Sequence, residues 1–292
     1  MLIGVVGLGL IGGSMAKAIK KNTDHRVYGT DLIESVRLKA KLLDAIDEEL
    51  SDETLQQCDI VLLAMYPGDT LNYAEAHAGL FKKGAIVIDL CGVKQVVCEP
   101  LHQLALANGF TYIGGHPMAG REFSGFAYSS GNLFEGASMI LVPFQGTPIE
   151  IVQSVKQLFN QVGFSLIQIS TAAEHDRMIA FTSQLAHIVS SAYIKSPTAL
   201  DHIGFSAGSF KDMTRVAKLN ETMWTELFLA NREFLSQEIE CLIENLNAYN
   251  AALKADDQQT LFALLKEGRE RKAVVDGEEP PESIRCIDCE LN

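Results

Sequence analysis

Six residues near the amino terminus constrain this chain more than any others. Leu2 to Val6 is a short apolar run suited to a buried strand, and Gly7-Leu8-Gly9-Leu10-Ile11-Gly12 follows it directly. Ser14 to Lys21 then reads as a helix, with Met15, Ala18 and Ile19 on one face. A G-x-G-x-x-G run between a strand and a helix is the context in which such glycines cradle a dinucleotide. Gly7 permits the tight turn, Gly9 leaves room for a pyrophosphate, and Gly12 lets the helix pack close to the strand. Gly7, Leu8, Gly9, Leu10, Ile11 and Gly12 together form the expected cofactor-binding segment, with free amides and a positive dipole end for phosphates. Asp31 closes the second strand about 20 residues on, where a carboxylate accepts hydrogen bonds from both ribose hydroxyls. It would repel a 2′-phosphate, and Leu32 rather than an arginine follows it, so NAD is favoured over NADP. FAD, or a glycine turn that only packs, are the alternatives.

The 292 residues suit two domains of roughly 100–200 residues each. With 47% hydrophobic and 21% charged residues the chain is not a disordered one. It carries 24 basic and 37 acidic side chains, a net charge of −13, which repels phosphate backbones and argues against a nucleic-acid partner. An anionic substrate then needs a locally basic pocket. The six cysteines are too sparse for a disulfide framework. Cys286 and Cys289 form a C-x-x-C pair without a second pair, so no metal site is expected and the pair reads as part of a reduced tail. The amino terminus lacks the basic region of a signal peptide, and no apolar run is long enough for a membrane span. A soluble cytoplasmic protein is expected.

Further apolar runs recur at Arg26 to Gly29, Ile60 to Ala64, Ala85 to Leu90, Phe110 to Ile113 and Ser138 to Val142, with Phe164 to Ile169 alternating like a final strand. Helical patterns separate most of them (Ser35 to Leu43, Thr70 to His77, Val96 to Ala107, Ile149 to Val162). Strands alternating with helices imply a parallel, doubly wound α/β sheet of the Rossmann type. After Ser170 only helical stretches follow: Ala172 to Lys195, Phe210 to Lys218, Glu221 to Leu253 and Gln258 to Val275. The expected division is a dinucleotide-binding domain over residues 1–170 and an all-α substrate-binding and dimerisation domain over residues 171–292, its end from Gly277 a loose tail.

Gly114-Gly115-His116-Pro117-Met118-Ala119-Gly120-Arg121-Glu122 ends a strand, which puts His116 at the carboxyl edge of the sheet, where ligands of this architecture bind. A lone histidine is more often structural, but this one lies where a nicotinamide would. Here the sequence resembles the prephenate and arogenate dehydrogenase family over nearly its whole length. Four segments carry the resemblance: the turn from Gly7, the His116-Pro-Met-Ala-Gly segment, Glu174-His175-Asp176 followed by Ser183-Gln184-Leu185-Ala186-His187, and Phe210-Lys211-Asp212-Met213-Thr214-Arg215 with Trp224 beyond it. The resemblance implies oxidation of prephenate by NAD at the ring carbon that carries the hydroxyl. Loss of the ring carboxylate as CO2 accompanies it and gives 4-hydroxyphenylpyruvate for tyrosine biosynthesis. It assigns the catalytic histidine to His116 and a carboxylate-gripping arginine to Arg215, and it gives the counterpart of His187 a substrate-binding role. Imidazole suits a base near neutral pH, and a guanidinium matches a carboxylate with two parallel bonds.

Read without the family, His187 could equally be a core histidine bonded to a carbonyl, and Trp224 a core or interface residue instead of a pocket wall. Arg121, five positions past His116, is a candidate for the substrate side arm, with a surface ion pair to Glu122 as the alternative. Adjacent residues on a helix do not face each other, so His175 and Asp176 read as a structural pair. Two departures from the family stand out. Gly92 occupies the place where many members carry a serine before Val-Lys, and Gln184 and Ala186 stand where others have His and Pro. An appended mutase or tyrosine-sensing domain is not expected at this length. Leu227, Phe234, Ile239, Leu242 and Leu246 along the long helix call for a partner surface, hence a homodimer. The rivals are an arogenate dehydrogenase, a 3-hydroxyacid dehydrogenase or imine reductase of the same plan, and a non-catalytic dinucleotide-binding regulator.

Overall fold

The computed structural model describes residues 1–121 and 123–278. Glu122, Cys286 and Cys289, which the sequence singles out, lie outside the described residues, as does most of the expected tail. Eight strands among the described residues build one sheet: β1 (Leu2–Val6), β2 (Arg26–Thr30), β3 (Glu48–Glu49), β4 (Ile60–Leu63), β5 (Ile86–Asp89), β6 (Thr111–Met118), β7 (Ser138–Pro143) and β8 (Leu166–Ile169). Their order across the sheet is β3-β2-β1-β4-β5-β6-β7-β8. The reversal beside β1 is the topological switch of a doubly wound sheet, and the glycine turn leaves β1 at that point.

The strands are apolar at successive positions because helices cover both faces. Alternate residues feed two separate cores. Ile3, Val5, Leu62, Ile88 and Ile113 join Met15, Ile19 and Phe159 on one face. Val6, Val61, Leu63, Val87 and Tyr112 join Val97 and Leu101 on the other. Each such side chain contributes about 1.5–3 kcal/mol when fully buried, so the sheet is a rigid platform for whatever its edge carries.

The structure departs from expectation in five places. The sheet is mixed rather than wholly parallel, because β7 runs antiparallel to β6, and no crossover helix connects them. The strand expected to stop at Ile113 continues to Met118, since pairing with β7 from Ile113↔Pro143 to Met118↔Ser138 holds it extended. Two-residue β3 has no hydrophobic signature and was not foreseen. The expected helix from Ala172 to Lys195 contains a π-type stretch, Ala180–Leu185, between the Ala172–Ile179 and Ala186–Tyr193 helices. The expected helix from Glu221 to Leu253 is two helices, Glu221–Ala230 and Arg232–Lys254. The break falls at Asn231, where φ is −121° and ψ 25°, and its side-chain amide donates to the Asp176 carbonyl and to Gln184 Oε1, both at 2.8 Å, anchoring it to distant segments.

By compactness the chain divides into Met1–Leu235 and a second unit from Ser236 on. In the second unit the carboxy-terminal part of the Arg232–Lys254 helix and the Gln258–Val275 helix form a hairpin, tied by Tyr249 to the Leu264 carbonyl at 3.2 Å. Leu227, expected to need a partner, lies against Gly92 of its own chain, whereas Leu246 is 58% exposed. Among the described residues no helix is long and apolar enough to cross a membrane, and no group of three or more metal-ligating side chains forms.

Candidate active site

The glycine turn takes the conformation its residues allow. Gly7 has φ +87°, and a β-carbon built on Gly12 would stand 1.8 Å from the Gly7 carbonyl oxygen, so strand and helix approach as only glycine permits. A β-carbon built on Gly9 meets nothing within 4 Å. Leu10 and Ile11 open the Leu10–Asn22 helix, and no side chain caps it. Open space over uncapped amides at a helix N-terminus fits a pyrophosphate. Leu8 is placed differently from its neighbours: its side chain is fully buried and its amide donates to Asp31 Oδ2 at 2.9 Å. Asp31 Oδ1 accepts from Ile33 N at 2.9 Å. The carboxylate is thus held at the strand end, with lone pairs left for a ribose. Sequence reasoning missed Arg37, which donates to the Asp31 carbonyl at 2.7 Å and pairs with Glu49 at 2.5 Å.

From this turn a continuous series of contacts leads to His116. Gly7 abuts Ala64 and Met65 at the end of β4. The loop beyond them reaches Gly68, whose amide donates to Glu226 Oε1 at 2.9 Å. One residue along the same Glu221–Ala230 helix, Leu227 lies over Gly92, and a β-carbon built on Gly92 would stand 3.7 Å from Leu227 Cδ2 and 3.8 Å from His116 Nε2. That helix therefore crosses the carboxyl ends of β4 and β5. His116 is half-buried on the part of β6 that extends past Gly114, the last residue paired with β5.

His116 is wired from behind. Its Nδ1 is 2.8 Å from His175 Nε2, and His175 Nδ1 is 2.7 Å from Asp176 Oδ1. His175 and Asp176, which helix geometry was expected to keep apart, do meet. The bond joins Nδ1, the ring nitrogen nearest the backbone, to a short carboxylate, so the pair need not share a helix face. Asp176 also accepts the backbone amides of Lys94 at 2.7 Å and Gln95 at 2.8 Å, and so serves as the anion at the start of the Gln95–Asn108 helix. Burial holds His116 well below the usual imidazole range, helped by His175 and the Lys94 charge. Burial also lowers His175, outweighing its bond to Asp176. Both rings are neutral near pH 7.

Beneath them sits a fully buried ion pair that sequence reasoning missed. Lys94 Nζ bonds to Asp89 Oδ2 and donates to the Gly115 carbonyl at 2.7 Å. Tyr112 donates to Asp89 Oδ1 at 2.6 Å, and the Cys91 amide donates to Asp89 Oδ2 at 3.0 Å. Burial alone would depress Lys94, but Asp89 beside it reverses the shift and keeps it charged. A charge pair this deep is worth little net stability, yet it fixes geometry, because either charge alone would be costly. Here it ties the Cys91-Gly92 loop to the β6 backbone one residue before His116. The available signal was a carboxylate ending the apolar run that becomes β5.

The candidate substrate residues form a second cluster. His187 Nδ1 donates to the Val216 carbonyl at 3.2 Å, and its ring lies 4.0 Å from that of Trp224. Burial lowers the pKa of His187, and the neighbouring Arg215 charge adds to this. His187, Arg215 and half-buried Trp224 are therefore together. Trp224 and Leu227, three apart, share a helix face, which sets this cluster about one 5.4 Å turn from Leu227 and Gly92. Gln184 is buried, donates to the Leu227 carbonyl at 3.2 Å and accepts from Asn231, so it braces this helix. Arg121 is exposed and reaches the Tyr128 carbonyl at 3.5 Å. Among the described residues its hydrogen bond thus runs to the Phe126–Tyr128 turn rather than to His116.

Comparison with known proteins gives the family. Residues 15–168 match the family model of the prephenate dehydrogenase nucleotide-binding domain, and residues 171–267 that of the prephenate dehydrogenase dimerization domain. Prephenate dehydrogenase of Bacillus subtilis (strain 168) is 30% identical over 276 residues, 91% of this chain and 74% of that protein. The crystal structure of prephenate dehydrogenase from Aquifex aeolicus in complex with hydroxyphenyl propionate and NAD+ superposes with a TM-score of 0.83 at 29% identity, covering 94% of this chain and 98% of that one. Synechocystis arogenate dehydrogenase gives 0.80 at 28% identity, covering 94% and 100%. With a nucleotide-binding sheet, a histidine at its carboxyl edge and both family domains in order, the chain belongs to the prephenate dehydrogenase family of dehydrogenases.

Proposed function

We propose that this protein is an NAD-dependent prephenate dehydrogenase that forms 4-hydroxyphenylpyruvate and CO2 in tyrosine biosynthesis. In this reading residues 1–170 bind the dinucleotide, and residues 171–292 bind substrate and pair two copies into a homodimer. The observation that carries it is His116, neutral and wired on one side, with its other nitrogen turned to the Gly92 loop. The dimer rests on the dimerization-domain match and on apolar side chains left exposed in the segment between the Ala186–Tyr193 and Gly208–Thr214 helices, such as Leu200 and Phe205. The free thiols of Cys58, Cys91 and Cys98 suit a reducing compartment such as the cytoplasm.

Gly7 to Gly12 would hold the pyrophosphate and Asp31 the adenosine ribose. When bound, NAD+ supplies the hydride acceptor for the ring carbon that bears the hydroxyl. The chain contributes the rest. His116 Nε2 takes the hydroxyl proton as carbonyl character develops, the role of a general base, and returns it to the ring oxygen once the ring is aromatic. Arg215 binds a substrate carboxylate, and His187 and Trp224 line the same pocket. The ring carboxylate departs as CO2, its bonding electrons complete the aromatic ring, and the protein needs only to orient and desolvate. Arg121 is assigned to the side arm, where it would attract the keto acid and repel an ammonium group.

The test is formation of NADH with prephenate and with arogenate in parallel, in the native protein and in Arg121→Ala. Turnover of prephenate, with a preference that weakens in Arg121→Ala, is expected. An unchanged ratio removes Arg121 from specificity, and no NADH from either substrate overturns the proposal. Arogenate is the second reading, favoured by the similarity to the Synechocystis enzyme.

A further inference from the structure

The two bonds behind His116 carry more information than their lengths. Ionised Asp176 can only accept, so the 2.7 Å contact requires a proton on His175 Nδ1. A neutral imidazole carries one N–H, so His175 Nε2 is then bare and accepts. The 2.8 Å contact from that nitrogen therefore requires the proton of His116 on Nδ1. His116 Nε2 is left bare, on the side facing Gly92 and Leu227. A free imidazole interconverts between two tautomers, and only one of them is a base at Nε2.

We infer that His175, oriented by Asp176, is a positioning residue that locks His116 in the tautomer with a bare Nε2. The inference rests on the reading of His116 as the base. Two features make the lock rigid. Asp176 is itself held by the Lys94 and Gln95 amides, and His175 and Asp176 are fully buried, so no water competes for either bond. The lock also joins the helical segment after Ser170 to the sheet edge. His116 is correctly set only when the Ala172–Ile179 helix is seated against the start of the Gln95–Asn108 helix.

The experiment combines nitrogen-15 NMR of the imidazoles in the intact protein with steady-state kinetics. In the native protein near pH 7.5, His116 should show a protonated Nδ1 and an unprotonated Nε2. His175→Leu removes the acceptor and should let the Nε2-protonated tautomer populate, lowering kcat several-fold in proportion to that population, with the full worth of a general base, about 10²–10⁴-fold, as the ceiling, while KM changes far less. His175→Gln keeps an acceptor near the place of Nε2 and should restore much of the loss. A protonated Nε2 in native His116 overturns the inference even if every variant fails to fold. So does a His175→Leu enzyme with native kcat. Failure of the base reading shows separately, as His116→Asn turning over normally while the tautomer pattern of the native protein stands.

Discussion

Gly92→Ser is the most informative single change at this site. Gly92 is not among the residues with positive φ, and a β-carbon there would make only ordinary contacts of 3.7–3.9 Å with Leu227 and His116 Nε2. The side chain therefore fits without backbone strain, and its hydroxyl comes within hydrogen-bond reach of Nε2. A hydroxyl serves both protonation states: it donates to the bare imidazole nitrogen and accepts from the imidazolium. The charge-assisted bond is the stronger, about 1.5–3 kcal/mol against about 0.5–1.5 kcal/mol for the neutral one. The difference of about 1–1.5 kcal/mol, at about 1.4 kcal/mol per pKa unit, raises His116 by about 0.7–1 unit. It moves from its depressed value back toward the ordinary 6.5. The assay is the acid limb of kcat/KM, which reports the free enzyme. Gly92→Ala supplies the same β-carbon without the hydroxyl and should leave the limb where it is, or lower it slightly through added desolvation. Equal profiles for the serine and alanine variants, or a downward shift with serine, would refute the placement of Nε2 beside Gly92.

Burial lowers His116, His175 and His187 below 6.5, so below that pH the unfolded chain binds more protons than the folded one. Stability should be steady above about pH 7 and fall as the pH drops below about 6.5 toward the folded-state values; urea melts from about pH 5 to 8 with no slope there would contradict the burial of these rings. Asp31→Asn combined with Leu32→Arg should shift preference toward NADP, since Leu32 is 99% exposed and leaves an arginine free to reach a 2′-phosphate; initial rates with both cofactors decide it. Arg215→Ala should raise KM for substrate at least about tenfold, about 1.4 kcal/mol, with little change in NAD affinity; equal damage to both would make Arg215 structural. Asn231→Ala strands the buried Gln184 acceptor, while the Asp176 carbonyl keeps its helical bond from the Ala180 amide, and should cost about 1–3 kcal/mol, read as a lower melting temperature; an unchanged melt would show that the Asn231 side chain does not hold these helices together.

Short-range patterns made the nucleotide-binding half legible. A glycine turn, a strand-end carboxylate and apolar runs of strand length all act within a few residues, and the Leu2–Val6 strand and the Ile149–Val162 helix appear with the boundaries their residues suggest. His116 stood out as a candidate because it follows the apolar run that opens β6, although the strand continues past it to Met118. What escaped were pairings between distant segments. Nothing near Met118 announces that β6 continues, since β7, some twenty positions away, supplies its partner. A helix pattern from Glu221 to Leu253 gives no reason to stop at Asn231, because its acceptors, Asp176 and Gln184, come from another helix. The same holds for His116, His175 and Asp176: the chain names the three residues, but the proton order among them follows from a histidine brought 59 positions through sequence to the back of the ring, with the carboxylate beside it. Local propensity is written in neighbouring residues, whereas a buried hydrogen-bond network exists only once separate elements have packed and excluded water.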